Sequence, residues 1–230
     1  MRPLTLAALL AAAPALAFAQ AGHPDFTGAW IVKPYAGVLK PLGGKPVPFT
    51  PAGKATYDKT RALEARGDHS WDDTRICLPE GLPRIMIIDE PFEILQRDKT
   101  VFFVAQNRLP WKAHFGEALP ADADTMYMGY SIARWEGATL VVDSGGFRDV
   151  SVLDDRGLPH SEQLHLEQKF RLAPGGKAMT VDTTVTDPAD YTHPWTSRAT
   201  FAKKPASFQM PEEVCAAKLA TTRPGEEGAK

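Results

Sequence analysis

The sequence has little cysteine and almost no excess of charge. Only 2 of its 230 residues are Cys and they do not form a Cys-x-x-Cys pair, which removes the common thiolate zinc and dithiol redox motifs. Its 26 basic and 28 acidic residues leave a net charge of −2, without a compensating Lys/Arg cluster. Because a nucleic-acid-binding surface needs positive charge against phosphate, we expect no nucleic-acid partner.

Long apolar runs are missing after the first twenty residues. The run at residues 4–17 is mostly Leu and Ala, follows Arg2 and ends at Ala17-Phe18-Ala19. A positive start, an apolar stretch and a small-x-small site are typical of a secretory signal peptide. We therefore predict cleavage near Ala19, a periplasmic or secreted product, and no stable insertion into a membrane.

Short β-type segments separated by turn residues dominate the chain after residue 85. They recur about every ten residues, and helical segments do not alternate with them. The clearest of these segments are Phe92–Gln96, Val101–Val104, Thr139–Asp143 and Met179–Val185. Apolar and polar residues alternate from Leu164 to Leu172, which places Gln168 on the apolar face. The pattern predicts a mainly β fold, a single antiparallel β-barrel of roughly eight strands, with a two-sheet sandwich as the alternative.

The segment before these strands has a different composition. It begins with one strand-like stretch, Phe26–Val32, and continues as an arm rich in Pro and Gly. Thr50 as N-cap, Pro51 at the first position and Gly67 as a stop predict one short helix of about fifteen residues. We divide the chain into a signal peptide, an N-terminal arm packed on the barrel, the barrel core and a flexible tail: 1–19, 20–75, 76–215 and 216–230.

Five motifs follow one another in a specific order along the chain. They read DFTGAW, CLPEGLPR, GYSIARWEGATLVVD, PHSEQLH and DPADYTHPWT. They resemble motifs of a widespread, largely uncharacterised family of exported Gram-negative bacterial proteins, marked by WEGDTLVVDT, PHSExLH and DPxxYTxPWT. The resemblance implies a lipocalin-like (calycin-like) barrel and little about activity. Tyr130, Ala138 and Gln168 stand where that family has His, Asp and Glu, so chemistry carried by those positions would be changed here.

The two cysteines can be interpreted once export is expected. Cys77 and Cys215 are the only pair, and an oxidising compartment favours a disulfide between them. Such a bridge would tie the start of the barrel core to its end. The alternative is two unrelated buried thiols.

The tripeptide His160-Ser161-Glu162 is the candidate for acid–base chemistry. His160 would act as the acid or base, Glu162 would orient it, and Arg84 or Tyr130 would anchor developing negative charge. On this hypothesis, replacing His160 by Ala removes any turnover and changes the melting temperature by only a few degrees. The alternatives are a turn stabilised by the His-Ser-Glu side chains and a structural ion pair at Arg84.

Aromatic and polar side chains of the strands are candidates for ligand binding at the barrel mouth: Trp135, Arg134, Gln168, His165, Tyr191 and Trp195. The alternative places the rings in the core and Arg134 in an ion pair. The six histidines lack metal-ligand spacing, so we predict no metal and no cofactor.

The sequence thus predicts an exported protein that handles a small, mostly apolar or aromatic molecule. One hypothesis is a cofactor-independent enzyme of the lyase, hydratase or isomerase type. A second is a binding protein with the same pocket and no chemistry. A third is a structural envelope protein whose barrel is filled by side chains.

Overall fold

The computed structural model describes residues 22–35, 37–105, 110–121 and 124–212. The predicted signal peptide, Cys215 and the predicted tail lie outside the described residues. In chain order the elements are β1 (Gly28–Val32), α1 (Pro51–Glu64), α2 (Arg84–Ile87), β2 (Phe92–Gln96), β3 (Thr100–Ala105), β4 (Trp111–Phe115), β5 (Tyr130–Glu136), β6 (Thr139–Gly145), β7 (His165–Leu172), β8 (Ala178–Thr186) and β9 (Trp195–Lys203), with 3-10 turns at Leu42–Gly44 and Asp73–Ile76. None of the helices in the described part of the chain is long and apolar enough to cross a bilayer.

The nine strands form one closed barrel in chain order, with β1 paired to β9. Neighbouring strands are antiparallel except β4 and β5, which run parallel with Ala113 opposite Ser131. An odd number of strands cannot alternate in direction all the way around a closed barrel, so one pair has to be parallel. The predicted mainly β barrel is confirmed, and the parallel pair and a ninth strand are features that the sequence pattern did not predict.

The barrel interior is filled by side chains. Trp30, Phe103, Trp111 and Phe170 are all buried inside it, and the rings of Phe103 and Trp111 stack with centroids 3.9 Å apart. The space left beside Phe103 and Trp111 is about 10 Å³, which has room for at most one water molecule. The interior therefore resembles a packed core rather than an open ligand pocket.

Helix α2 packs against this interior, and all four of its residues are buried. The Met86 sulfur accepts a hydrogen bond from the Gln168 amide nitrogen at 3.4 Å, so the helix reaches the middle of β7. Arg84 fixes α2 from the other side by donating from two nitrogens to Asp72 at 2.8 Å and from the third to Asp155 at 3.0 Å.

The N-terminal arm lies against the β8–β9 connection through α1. Thr50 caps the helix by accepting a hydrogen bond from the Gly53 backbone nitrogen at 3.0 Å, and Glu64 ends it, which confirms the predicted helix apart from its last residues. Position 53 requires glycine because the helix lies close to the Asp190 backbone: a Cβ there would lie 2.3 Å from the Asp190 carbonyl oxygen.

Candidate functional site

His160 is buried and directly precedes the hydrogen-bonded turn at residues 161–164. Its Nε2 is 2.8 Å from the Ser151 hydroxyl, and its Nδ1 is 3.1 Å from the Ser161 carbonyl oxygen. Burial lowers the pKa of the ring below its usual value, so the imidazole is neutral at pH 7. Because both ring nitrogens already have partners, this geometry fits the alternative in which His160 stabilises a turn.

Two of the three other residues predicted to act with His160, Glu162 and Arg84, have their hydrogen-bond partners elsewhere. Glu162 is exposed and accepts a hydrogen bond from the Thr125 hydroxyl at 3.4 Å. All three guanidinium nitrogens of Arg84 donate to the carboxylates of Asp72 and Asp155. The structure therefore does not bring these side chains together as an acid–base group, and it places Arg84 in the alternative role of a structural ion pair.

Arg134 and His165 belong to a charged cluster on the outer face of β5, β6 and β7. Arg134 forms ion pairs with Glu136, Asp143 and Glu167. His165 Nε2 lies 3.5 Å from an Asp143 oxygen. Each charged side chain named here has a partner of opposite sign within the cluster, so we assign it to the surface of the barrel rather than to a ligand pocket.

Gln168 faces the barrel interior, as the alternation along its strand predicted. Its amide nitrogen lies 3.4 Å from both the Met86 sulfur and the Thr183 hydroxyl, and its side-chain oxygen has no hydrogen-bond partner among the described residues. It is 1% exposed. A ligand could reach this amide only if α2 moved away.

The three predicted aromatic residues lie in two different places. Tyr191 and Trp195 are buried with their rings edge to face at 5.5 Å, and the Tyr191 hydroxyl donates to the Pro159 carbonyl at 2.7 Å. Trp135 is half-buried and stacks on the His23 ring at 4.3 Å. Neither group is part of the lining of the large cleft described next.

A cleft of about 800 Å³ lies on the outside of the barrel, over the parallel strands β4 and β5. Strands that run in the same direction need a connection back along the sheet, often a helix. The described parts of this connection, residues 116–121 and 124–129, contain no helix. Side chains from these segments form one wall of the cleft, and outward-facing residues of the two strands form another.

The walls of the cleft are mostly apolar. The apolar and aromatic residues that line it are Pro79, Pro110, Trp111, Ala118, Pro120, Met126, Tyr127, Met128, Tyr130 and Ile132. Met126 is 41% exposed, which is high for so large an apolar side chain. The cleft therefore presents apolar surface that a bound molecule could cover.

Tyr130 is the predicted catalytic residue that this cleft contains. Its hydroxyl has no hydrogen-bond partner in the described part of the chain. Gly146, at a φ of 70°, makes room for the ring, since a Cβ there would lie 3.0 Å from Tyr130 Cδ2. The phenol is thus placed to donate a hydrogen bond to a molecule in the cleft.

Sequence reasoning missed the cationic and imidazole side chains of the cleft. Lys112 and His114 alternate with the buried Trp111 and Ala113 along β4, and this alternation was the available signal. Arg148, which follows β6, had no signal of its own. His114 Nδ1 lies 3.4 Å from a Glu117 carboxylate oxygen, so the cleft also holds one His–Glu pair.

The comparisons with known proteins do not assign this site. The chain matches no protein-family model, no curated protein and no solved structure. Within the described ranges, three or more His, Cys, Asp or Glu side chains do not come together as a metal site. The function therefore has to be argued from the geometry of the cleft.

Proposed function

We propose that this protein binds a small, largely apolar or aromatic molecule in the cleft over β4 and β5. The observation that carries the proposal is the volume of about 800 Å³ with mostly apolar walls. Small-molecule sites in proteins are concave, mainly apolar and roughly 300–1,000 Å³ in size. The proposed ligand class is the one expected from the sequence, but the proposed site lies on the outside of the barrel instead of in its interior.

The side chains around the cleft suit a flat or irregular apolar molecule. Met126 and Met128 have unbranched, flexible side chains that adapt to the shape of a bound ring. Tyr127 and Tyr130 offer aromatic faces, and the Tyr130 hydroxyl offers a polar contact that fixes orientation.

Binding without chemistry accounts for these residues better than catalysis by His160. A general acid or base has to reach the proton it transfers, and both nitrogens of His160 are bonded inside the protein. Arg84, the predicted anchor for negative charge, is paired with two carboxylates. The space that borders Arg84 and the Ser151 partner of His160 is about 10 Å³, which is too small for a substrate.

We also propose that the protein acts outside the cytoplasm. The signal-peptide pattern ending near Ala19 and the resemblance to an exported bacterial family both support this location. An oxidising compartment would also favour the Cys77–Cys215 disulfide.

A fluorescence titration tests the binding function. N-phenyl-1-naphthylamine (NPN) is a neutral aromatic probe whose emission rises in apolar surroundings. We expect saturable binding of one NPN per chain. Met126→Asp should weaken it about tenfold, since a charge replaces apolar contact surface. The matched control is Leu42→Asp in the N-terminal arm, because Leu42 is 44% exposed, close to the 41% of Met126.

Two results would count against the proposal. One is the absence of saturable NPN binding to the wild-type protein. The other is equal affinity for wild type, Met126→Asp and Leu42→Asp, which would place the probe elsewhere. Thermal melting of each variant shows that the compared proteins are folded.

A further inference from the structure

The charged side chains of the cleft do not balance one another. Lys112 from β4 and Arg148 after β6 both line it, and neither forms a salt bridge with any described residue. The carboxylate among the described lining residues is Glu117, which lies 3.4 Å from His114 Nδ1. The cleft is therefore positive, although the whole chain has a net charge of −2.

Arg148 is held at the cleft by two contacts from one wall. Its backbone nitrogen donates to the Met126 carbonyl oxygen at 3.0 Å. Its guanidinium lies 5.8 Å from the centre of the Tyr127 ring, within the distance of a cation–π interaction. Stacking on a ring leaves the N–H groups of a guanidinium free at its edge, where they can donate to an acidic group.

Resting on the proposed binding function, we infer that the cleft selects an anionic aromatic or apolar molecule, of the carboxylate or sulfonate class. The apolar part of the ligand lies against Met126 and Ile132. Its acidic group accepts hydrogen bonds from Lys112 and Arg148, with the Tyr130 hydroxyl as a further donor. Charge complementarity carries this inference, because two unpaired cations bordering an apolar surface match an amphiphilic anion.

A pair of probes that differ by one anionic group separates this inference from the proposed function. 1-Anilinonaphthalene-8-sulfonate (ANS) has the same rings as NPN and adds a sulfonate. ANS should displace NPN competitively from the wild-type protein. Raising the salt concentration should lower the affinity for ANS and leave the affinity for NPN unchanged, because salt screens charge pairs at an exposed cleft.

Variants that remove each cation but keep side-chain length supply the decisive comparison. Lys112→Met and Arg148→Met should each lower ANS affinity about threefold, and the double variant about tenfold, as expected for partly exposed ion pairs. NPN affinity should change less than ANS affinity, because the neutral probe has no ion pair to lose, so the ratio of ANS affinity to NPN affinity should fall about tenfold in the double variant. Lys177→Met, at the exposed turn before β8, makes the same charge change away from the cleft and should alter neither affinity.

The outcomes distinguish the two proposals. If the double variant binds ANS as tightly as wild type while NPN still binds, anion selection is refuted and the binding function stands. If Lys177→Met lowers ANS affinity as much as Lys112→Met, net charge rather than the cleft is responsible, which also refutes the inference. The inference is also refuted if the double variant loses as much affinity for NPN as for ANS, since that would mean that the two side chains shape the cleft. Failure of NPN to bind the wild-type protein refutes the proposed function itself.

Discussion

Replacing His160 by Ala should destabilise the protein strongly, in contrast to the small effect expected from a catalytic role. The imidazole is 6% exposed and lies edge to face with the Phe147 ring at 6.2 Å. Truncating a buried ring leaves a cavity that costs about 2–3 kcal/mol, and the Ser151 hydroxyl loses its partner at a further cost of about 1 kcal/mol. The free energy of unfolding should therefore fall by about 3–4 kcal/mol.

Urea unfolding and thermal melting both measure this loss. For a chain of 230 residues, 1 kcal/mol corresponds to about 2–4 °C, so the melting temperature should drop by about 10 °C. His160→Gln offers an amide in place of Nε2 for the Ser151 hydroxyl, so its loss should be smaller. NPN affinity should be unchanged in both variants at a temperature where they are folded.

The pH dependence of stability gives a second readout of the same side chain. Because burial lowers the pKa of His160 in the folded protein, the unfolded chain binds a proton that the folded protein excludes. Stability should therefore fall as the pH drops below the unfolded value of about 6.5, by at most about 1.4 kcal/mol per pH unit for this group. His160→Gln should show a shallower fall between pH 7 and 5. A His160→Ala protein that melts within a few degrees of wild type, with ligand binding abolished, would refute this reasoning and return His160 to a functional role.

Three further predictions concern the Arg84 ion pairs and the cysteines. Arg84→Leu should lower the free energy of unfolding in urea by about 3–5 kcal/mol, because Asp72 and Asp155 lose a buried partner; an unchanged midpoint would contradict the structural role. Burial, the largest effect on Asp72, raises its pKa, but the hydrogen bonds and charge of Arg84 outweigh it and the pKa is lowered. The stability from this pair is thus present above about pH 4 and lost as the pH falls further, and urea unfolding between pH 5 and 3 should show a steeper loss for wild type than for Arg84→Leu. Reductant, or Cys77→Ser, should lower the melting temperature of the exported protein, because a disulfide between Cys77 and Cys215 stabilises by up to about 4–5 kcal/mol; a melting point that reductant leaves unmoved would exclude the bridge.

Local signals in the sequence were sufficient for the elements that have clear boundaries. Pro51 beside the Thr50 cap fixed the start of α1, and the strand at Phe92–Gln96 was predicted with the bounds it has in the structure. Gln168 was correctly placed in the interior, because the apolar face of β7 is continuous around it. In these segments, local chemistry and tertiary packing favour the same conformation.

Strands β4 and β9 were not predicted from the sequence, because their apolar patterns are short or interrupted. Strand β9 turns Trp195, Ser197 and Phe201 inward, and Ser197 interrupts the apolar pattern. Strand β4 has five residues, and its outward Lys112 and His114 leave only a short apolar pattern at Trp111 and Ala113. Hydrophobic periodicity carries little information when the buried face contains Ser and the strand is so short.

The cleft could not be predicted from the sequence, because it depends on strand direction. Tyr130 was expected to anchor negative charge beside His160, yet Ser131 is the residue that points inward and Tyr130 points to the outside. A shift of one residue in the assignment of faces reverses every side chain of a strand. The parallel β4–β5 pair, which creates the space, follows from the closure of nine strands and has no local signature.

A crystal structure of the protein with bound ANS tests the central claim most directly. We predict the probe over β4 and β5, with its rings against Met126 and Ile132 and its sulfonate near Lys112 and Arg148. The barrel interior should be unchanged. A probe found inside the barrel, with α2 displaced, would contradict the account.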